Sequence, residues 1–273
     1  MNTDVINVVL SDMHSGSNYA LFLDREWKGT KENNHTPTSK QQKIRECYEA
    51  FAFDVYKARQ GKTIKLVHNG DAIDGDHHRS GDVCTLNPID QADIHIELVN
   101  EFQKRIGWQA GDELYYTRGT QTHVNELENY IGRELNAVPE GDFYVHNLLK
   151  LDVNGTTSWF AHHGPGRGDG PNEGNPMRNW LRNIQTESMK DQSAPPDVVW
   201  TSHVHYPTYG SYVYRTKMNF KTIHGIITPA WQKKTAFGWQ VAAVKQEKIG
   251  GVYQEIKADG TIALPYFRVM EGE

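Results

Sequence analysis

Asp12 and His14 stand two residues apart, directly after the apolar run Val5-Ile6-Asn7-Val8-Val9-Leu10. In an extended segment, residues i and i+2 point to the same side, so both side chains can reach one point beyond the strand end. The arrangement recurs along the chain. Thr63 to His68 runs into Asn69-Gly70-Asp71-Ala72-Ile73-Asp74, and Glu113 to Arg118 runs into Gly119-Thr120-Gln121-Thr122-His123. Thr156 to Ala161 leads to His162-His163-Gly164, and Asp197 to Trp200 leads to Thr201-Ser202-His203-Val204-His205. Carboxylates and imidazoles without thiolates suit zinc, manganese or iron. An aspartate with two oxygens can bridge two ions about 3.5–4 Å apart, a geometry that clamps the attacking and leaving oxygens of an in-line displacement. That chemistry fits phosphate-ester hydrolysis better than acyl transfer. No G-x-S-x-G elbow, Walker A loop or G-x-G-x-x-G fingerprint supports a rival.

Five polar clusters at five strand ends must be brought together by a sheet. Between the early strands lie helical patterns. Ser39 with Gln42 reads as a capping box ahead of Ile44, Tyr48, Phe51, Val55 and Ala58, and Asn87-Pro88 opens a second stripe through Ala92, Ile96, Val99, Phe102 and Ile106. A third helix is expected over 124–137 and a fourth from Asn175-Pro176, with Met177, Trp180, Leu181 and Ile184 on one face. Strands are expected over 142–153 and 156–161 around the Asn154-Gly155 turn, then over 209–216, 219–228, 237–246, 249–257 and 261–268. Residues 15–38 read as a surface insertion, and the glycine-rich stretch 164–174 as a loop bordering the site. Strand–helix alternation followed by a run of strands predicts an α/β fold: a layered α/β/β/α sandwich of two mixed sheets. Ligands bind outside the carboxyl ends of strands in such sheets, which puts a dimetal site there. With no linker or repeat visible, residues 1–273 read as a single domain.

Composition narrows the function. The chain carries 29 basic and 34 acidic residues, a formal −5, so duplex binding through broad phosphate neutralisation is not expected. Two cysteines outside any C-x-x-C spacing suggest neither a disulfide framework nor a thiolate zinc site. No signal-peptide pattern opens the sequence and no apolar run reaches the ~18 residues of a membrane span, so a cytoplasmic protein without a membrane partner is expected.

In order and spacing, these clusters resemble the motifs of the calcineurin-like metallophosphoesterase superfamily: D-x-H, G-D-x-x-D, G-N-H-D/E, H-G and G-H-x-H. Here they are Asp12-Met13-His14, Gly70-Asp71-Ala72-Ile73-Asp74, a modified third motif, His163-Gly164 and Ser202-His203-Val204-His205. The resemblance implies two divalent ions (Mn, Zn or Fe). Asp12, His14 and His205 would hold one, His163 and His203 the other, and Asp71 would bridge them. Asp74 would orient a ligand from outside the coordination sphere. His163 is preferred to His162 because the motif places its ligand directly before glycine. Hydrolysis of phosphomono- or phosphodiesters by a bridging hydroxide is the implied activity. Relatives with an altered third motif include phage-type and nuclease-like phosphoesterases, which adds nucleotides and single-stranded nucleic acid to the candidate substrates. The alternative is a non-catalytic metal-binding scaffold on the same fold.

The third motif departs from the pattern, for Thr120 stands where asparagine is expected and histidine follows two residues late. His123 therefore reads either as a ligand to the second ion or as the general acid for the leaving group. Around the second motif, His68, Asp76, His77 and His78 read as solvated loop, and Asn69 as a group that orients water or phosphate. Arg167, Arg178 and Arg182 are candidate phosphate contacts or plain surface charges.

Overall fold

The computed structural model describes residues 3–30, 34–75, 81–121, 126–217, 219–235 and 248–271. Two five-stranded sheets dominate. The first has the order β12-β11-β1-β4-β5, with β1 (Val5–Leu10), β4 (Thr63–Asn69) and β5 (Glu113–Thr117) parallel, β11 (Lys248–Ile256) antiparallel to β1, and β12 (Tyr266–Glu271) antiparallel to β11. The second has the order β6-β7-β8-β10-β9. In it β7 (Thr156–Phe160), β8 (Val198–Thr201) and β10 (Phe220–Ile227) run parallel, while β6 (Leu149–Val153) and β9 (Thr208–Arg215) are antiparallel edges. A short pair, β2 (Trp27–Lys28) and β3 (Asn34–His35), lies apart from both.

Alternation along the strands explains the layering. On β1, Ile6, Val8 and Leu10 face a core shared with helices, while Val5 and Val9 face the second sheet. A strand buried on both sides reads as a continuous apolar run, as this one does. The inter-sheet core joins Val67, Tyr115 and Val252 to Leu151, Phe160, Val198, Trp200 and Ile226. Helices α1 (Ser39–Arg59), α2 (Pro88–Arg105) and α3 (Leu127–Glu134) cover the outer face of the first sheet through Tyr48, Phe51, Phe102 and Ile131. Helix α4 (Asn175–Lys190) covers the second with Met177 and Leu181. The expected α/β/β/α order is thus the observed one. Among the described residues, no helix is long and apolar enough to cross a membrane.

Several expectations need correction. Residues 15–38 are not simply a surface insertion, because Ala20, Leu21, Phe22, Leu23 and Trp27 are buried, four of them in the helix-side core. The capping box belongs to Thr38 and Gln41, one residue earlier than read: the Thr38 hydroxyl accepts from the Gln41 amide at 3.2 Å, and Gln41 accepts from the Thr38 amide at 3.0 Å. Of the strand expected over 142–153 only Leu149–Val153 forms. His146 pairs with the end of β5 instead, its amide donating to the Tyr116 carbonyl. Pro265, which has no N–H to give a ladder, delays the last strand to Tyr266. The strand expected over 237–246 lies outside the described residues, as does the start of the third helix.

Candidate metal centre

Backbone hydrogen bonds lace the strand-end loops together before any side chain is considered. Asp12 N–H donates to the Gly70 carbonyl at 3.0 Å, His14 N–H to the Asp71 carbonyl at 3.0 Å, and Ser202 N–H to the His162 carbonyl at 2.9 Å. Buried polar side chains bind the two sheets at the same end. Asn69 donates to the Ala161 carbonyl at 3.0 Å and to Ser202 Oγ at 2.6 Å, and accepts from Thr117 Oγ1 at 2.7 Å. Its side chain therefore joins β4 and β5 to the ends of β7 and β8. Ser11, Thr228 and Ser202 continue the network.

The local backbone at the site is unusual. Asp12, His14, Asp71, His203 and His205 all have positive φ, between 42° and 71°. For residues with a Cβ this left-handed region costs about 1–3 kcal/mol each. Such a concentration turns side chains out of the strand pleat toward one point.

The side chains converge in three overlapping sets whose ligand atoms lie within 4.8 Å of one another: Asp12, His14 and His205; Asp12, Asp71 and His162; and His162, His163 and His203. Asp12 Oδ1 lies 3.2 Å from His205 Nε2. Asp71 Oδ2 lies 3.9 Å from His14 Nε2 and 3.1 Å from His162 Nε2, so this carboxylate faces both sides. Asp74 Oδ1 stands 3.3 Å from His14 Nδ1 and also accepts from Gln232 Nε2 at 2.9 Å. His14 is thus oriented from behind through one ring nitrogen, the usual arrangement for a ligating imidazole.

His162 is more central than the motif suggested. It is buried, whereas His163 is exposed at the rim. Its Nδ1–H donates to the Asn69 carbonyl at 2.8 Å, which leaves Nε2 directed at Asp71. Gly70 makes the room, because a Cβ there would collide with the His162 ring. His123 lies outside the described residues, as do Asp76, His77 and His78. His68 is not solvated loop: it sits on β4, buried against His95 and Tyr116.

Charge and burial fit a cation. Burial pushes the Asp12 carboxyl up, but His205 and His162 more than offset this and hold it well below the ordinary carboxylate range. Burial pushes the His162 imidazole down, yet Asp71 and Asp12 raise it to about 9. His14 is likewise raised, by Asp74, Asp71 and Asp12 acting against burial. The carboxylates thus favour positive charge at His14 and His162, where a divalent ion would supply the same charge. His163 and His203 are lowered, first by burial and then by the charge on His162, which keeps their lone pairs available.

One participant went unread. Glu128 on α3 is buried, accepts from the Gly119 amide at 2.8 Å and the Ala72 amide at 3.4 Å, and so joins the turns of the second and third motifs. Burial raises its carboxyl to about 7. A signal existed: Glu128 stands three residues before Ile131 and shares its inward helical face.

No family model matches the chain, and no curated protein does. Among solved structures it is similar to a conserved uncharacterized protein, a predicted phosphoesterase, from Streptococcus pneumoniae, at 10% identity over 99% of this chain and 100% of that one, with a TM-score of 0.34. It is also similar to the metallophosphoesterase of Sphaerobacter thermophilus, at 11% identity over 98% and 89%, with a TM-score of 0.34. The NAD nucleotidase of Haemophilus influenzae matches at 13% identity over 98% of this chain, with a TM-score of 0.45. The chain spans 50% of that nucleotidase. In the order of its motifs, and in the two mixed sheets that bring them to one edge, the chain resembles the calcineurin-like metallophosphoesterase superfamily.

Proposed function

We propose that the protein is a metal-dependent phosphoesterase with a dinuclear centre. Asp12, His14 and His205 hold one ion, His203 with the His162-His163 pair serves the other, and Asp71 lies between them. The observation that carries this reading is the position of Asp71 Oδ2, with His14 on one side and His162 on the other. When bound, the ions supply Lewis acidity to a phosphoryl oxygen and lower the pKa of the water they hold.

The chain's own residues supply the rest. Thr120 and the Gly119 turn fix the Asp71 carboxylate, and Asp74 fixes His14. His163 and His203 are exposed and give substrate its approach. The Arg167 guanidinium carbon lies over the Tyr206 ring, 3.9 Å from its centroid, directly after the Ser202–His205 motif. A guanidinium held there is suited to an anionic phosphate oxygen. Arg178 and Arg182 are exposed on α4. Phosphomonoesters and phosphodiesters, including nucleotides and single-stranded nucleic acid, are the substrate classes proposed.

The test is to strip metal from the protein, reload it with manganese or zinc, and assay an aryl phosphomonoester and an aryl phosphodiester. Metal-dependent turnover of either is expected. Two bound equivalents with no turnover of any phosphate ester would replace the enzyme with a metal-binding scaffold, the reading favoured by threonine in the third motif.

A further inference from the structure

We propose that His162 and His163 both ligate the second ion together with His203, giving a three-imidazole set in which His163 fills the place of the amide missing from the third motif. The assignment rests on the metal-dependent reading of the site.

Neighbouring residues on a strand point to opposite faces, so an adjacent pair would ordinarily be separated. Here β7 ends at Phe160, and residues 161–163 belong to no strand, so the pleat no longer alternates them. The three rings stand edge to face around one point. Centroids are 4.8 Å apart for His162–His163, 5.2 Å for His162–His203 and 4.6 Å for His163–His203, with interplanar angles of 74°, 74° and 67°. Each offers a nitrogen within 4.8 Å of the others. In a tetrahedral site with bonds of about 2.0–2.1 Å, ligand atoms are separated by about 3.3 Å, so small ring movements complete the set.

Thr120 stands where the family pattern has its amide ligand. Its hydroxyl lies 3.4 Å from His162 Nε2 and 3.5 Å from His203 Nδ1, and it donates to Asp71 at 3.2 Å. A neutral hydroxyl committed to a carboxylate is a poor ligand for a divalent ion, whereas imidazole is a good one. Edge-to-face packing alone does not explain the cluster, because two of the rings are exposed and gain little by burial. A nitrogen-rich second subsite beside a more carboxylate-rich first one should also differ from it in metal preference, favouring zinc and cobalt over manganese.

The experiment titrates metal-stripped full-length protein with cobalt(II), reading bound equivalents by elemental analysis and the ligand field by visible absorption. The wild type should bind two equivalents. His163→Ala, with an unchanged melting temperature in the metal-free state, should weaken one equivalent by about tenfold or more and alter its absorption. His162→Ala should affect the same equivalent. Unchanged affinity and spectrum in His163→Ala overturn the proposal, as does loss of that equivalent from His123→Ala alone. A wild type that binds no cobalt overturns the metal reading itself, a result separable from either of these.

Discussion

Thr120 grips Asp71 twice: its backbone amide donates to Oδ1 at 2.6 Å and its hydroxyl donates to Oδ2 at 3.2 Å. The threonine that breaks the third motif is thus a brace for the carboxylate standing between the two donor sets. Asp71→Asn should lower turnover by on the order of 10²-fold or more, beyond the 10–100-fold typical of residues that only orient a ligand. Near-wild-type rates at saturating manganese would show that the carboxylate does not bridge.

His203 and His205 belong to different donor sets, the first with His162 and His163 and the second with Asp12 and His14. His203→Ala and His205→Ala should each lose one ion, and excess metal should rescue them to different degrees. Elemental analysis checks this. Identical loss of both ions from both variants contradicts separate sites.

Asp74→Ala should leave the fold intact but weaken binding of the ion proposed at His14, by about 10–100-fold. The reason is the 3.3 Å approach of Asp74 Oδ1 to His14 Nδ1, which sets the ring's orientation. Asp74→Asn, which retains an acceptor oxygen, should recover part of the loss. A metal titration that gives the wild-type curve for Asp74→Ala would remove the residue from the site.

Gly119→Ala should destabilise even the metal-free protein. A Cβ at this position would run into the Asp71 backbone amide and its carboxylate, with Glu128 behind. Forced overpacking of this kind costs about 1–3 kcal/mol. Chemical denaturation measures it, and an unchanged midpoint would mean that the turn can shift without cost.

Acid should weaken the fold through a second histidine pair, remote from solvent. His95 lies between Ser15 Oγ at 3.2 Å and Tyr116 Oη at 2.9 Å, with the His68 ring against it. Burial holds the His95 imidazole down at about 3 from an ordinary 6.5, and burial with the neighbouring His95 pushes His68 well down too. Between those values the unfolded chain binds the proton and the folded one does not. Stability is therefore full above about 6.5 and is lost as pH falls toward 3, by up to ~1.4 kcal/mol per unit per group. His95→Gln should flatten this slope by about one proton, as read from denaturation at pH 7, 6 and 5. An unaltered slope would assign the acid sensitivity elsewhere.

The sandwich and most of its strand ends were legible because periodicity is a local property. Val5 to Leu10 announces a strand whatever surrounds it, and the polar residues that follow it announce an edge. What was not legible depended on the path of the backbone. Two adjacent histidines offer no local basis for choosing His162, because only the end of β7 and the carbonyl of Asn69 decide which ring turns inward. Leu21-Phe22-Leu23 reads as three apolar residues in a polar insertion, and only the cavity it fills reveals it as core. The same holds for Asn69, whose partners lie 48, 92 and 133 residues away.

The left-handed backbone at Asp12, His14, Asp71, His203 and His205 also bears on how fast the site fills. These conformations are imposed by loop-to-loop hydrogen bonds such as Asp12 to Gly70 and His14 to Asp71, which depend on the fold and not on an ion. On the proposed metal reading, the entropy of gathering ligands is thus spent when the chain folds, before metal would arrive. Loading should then be a single kinetic phase whose rate follows the water-exchange rate of the ion offered, with scarcely any change in far-ultraviolet circular dichroism.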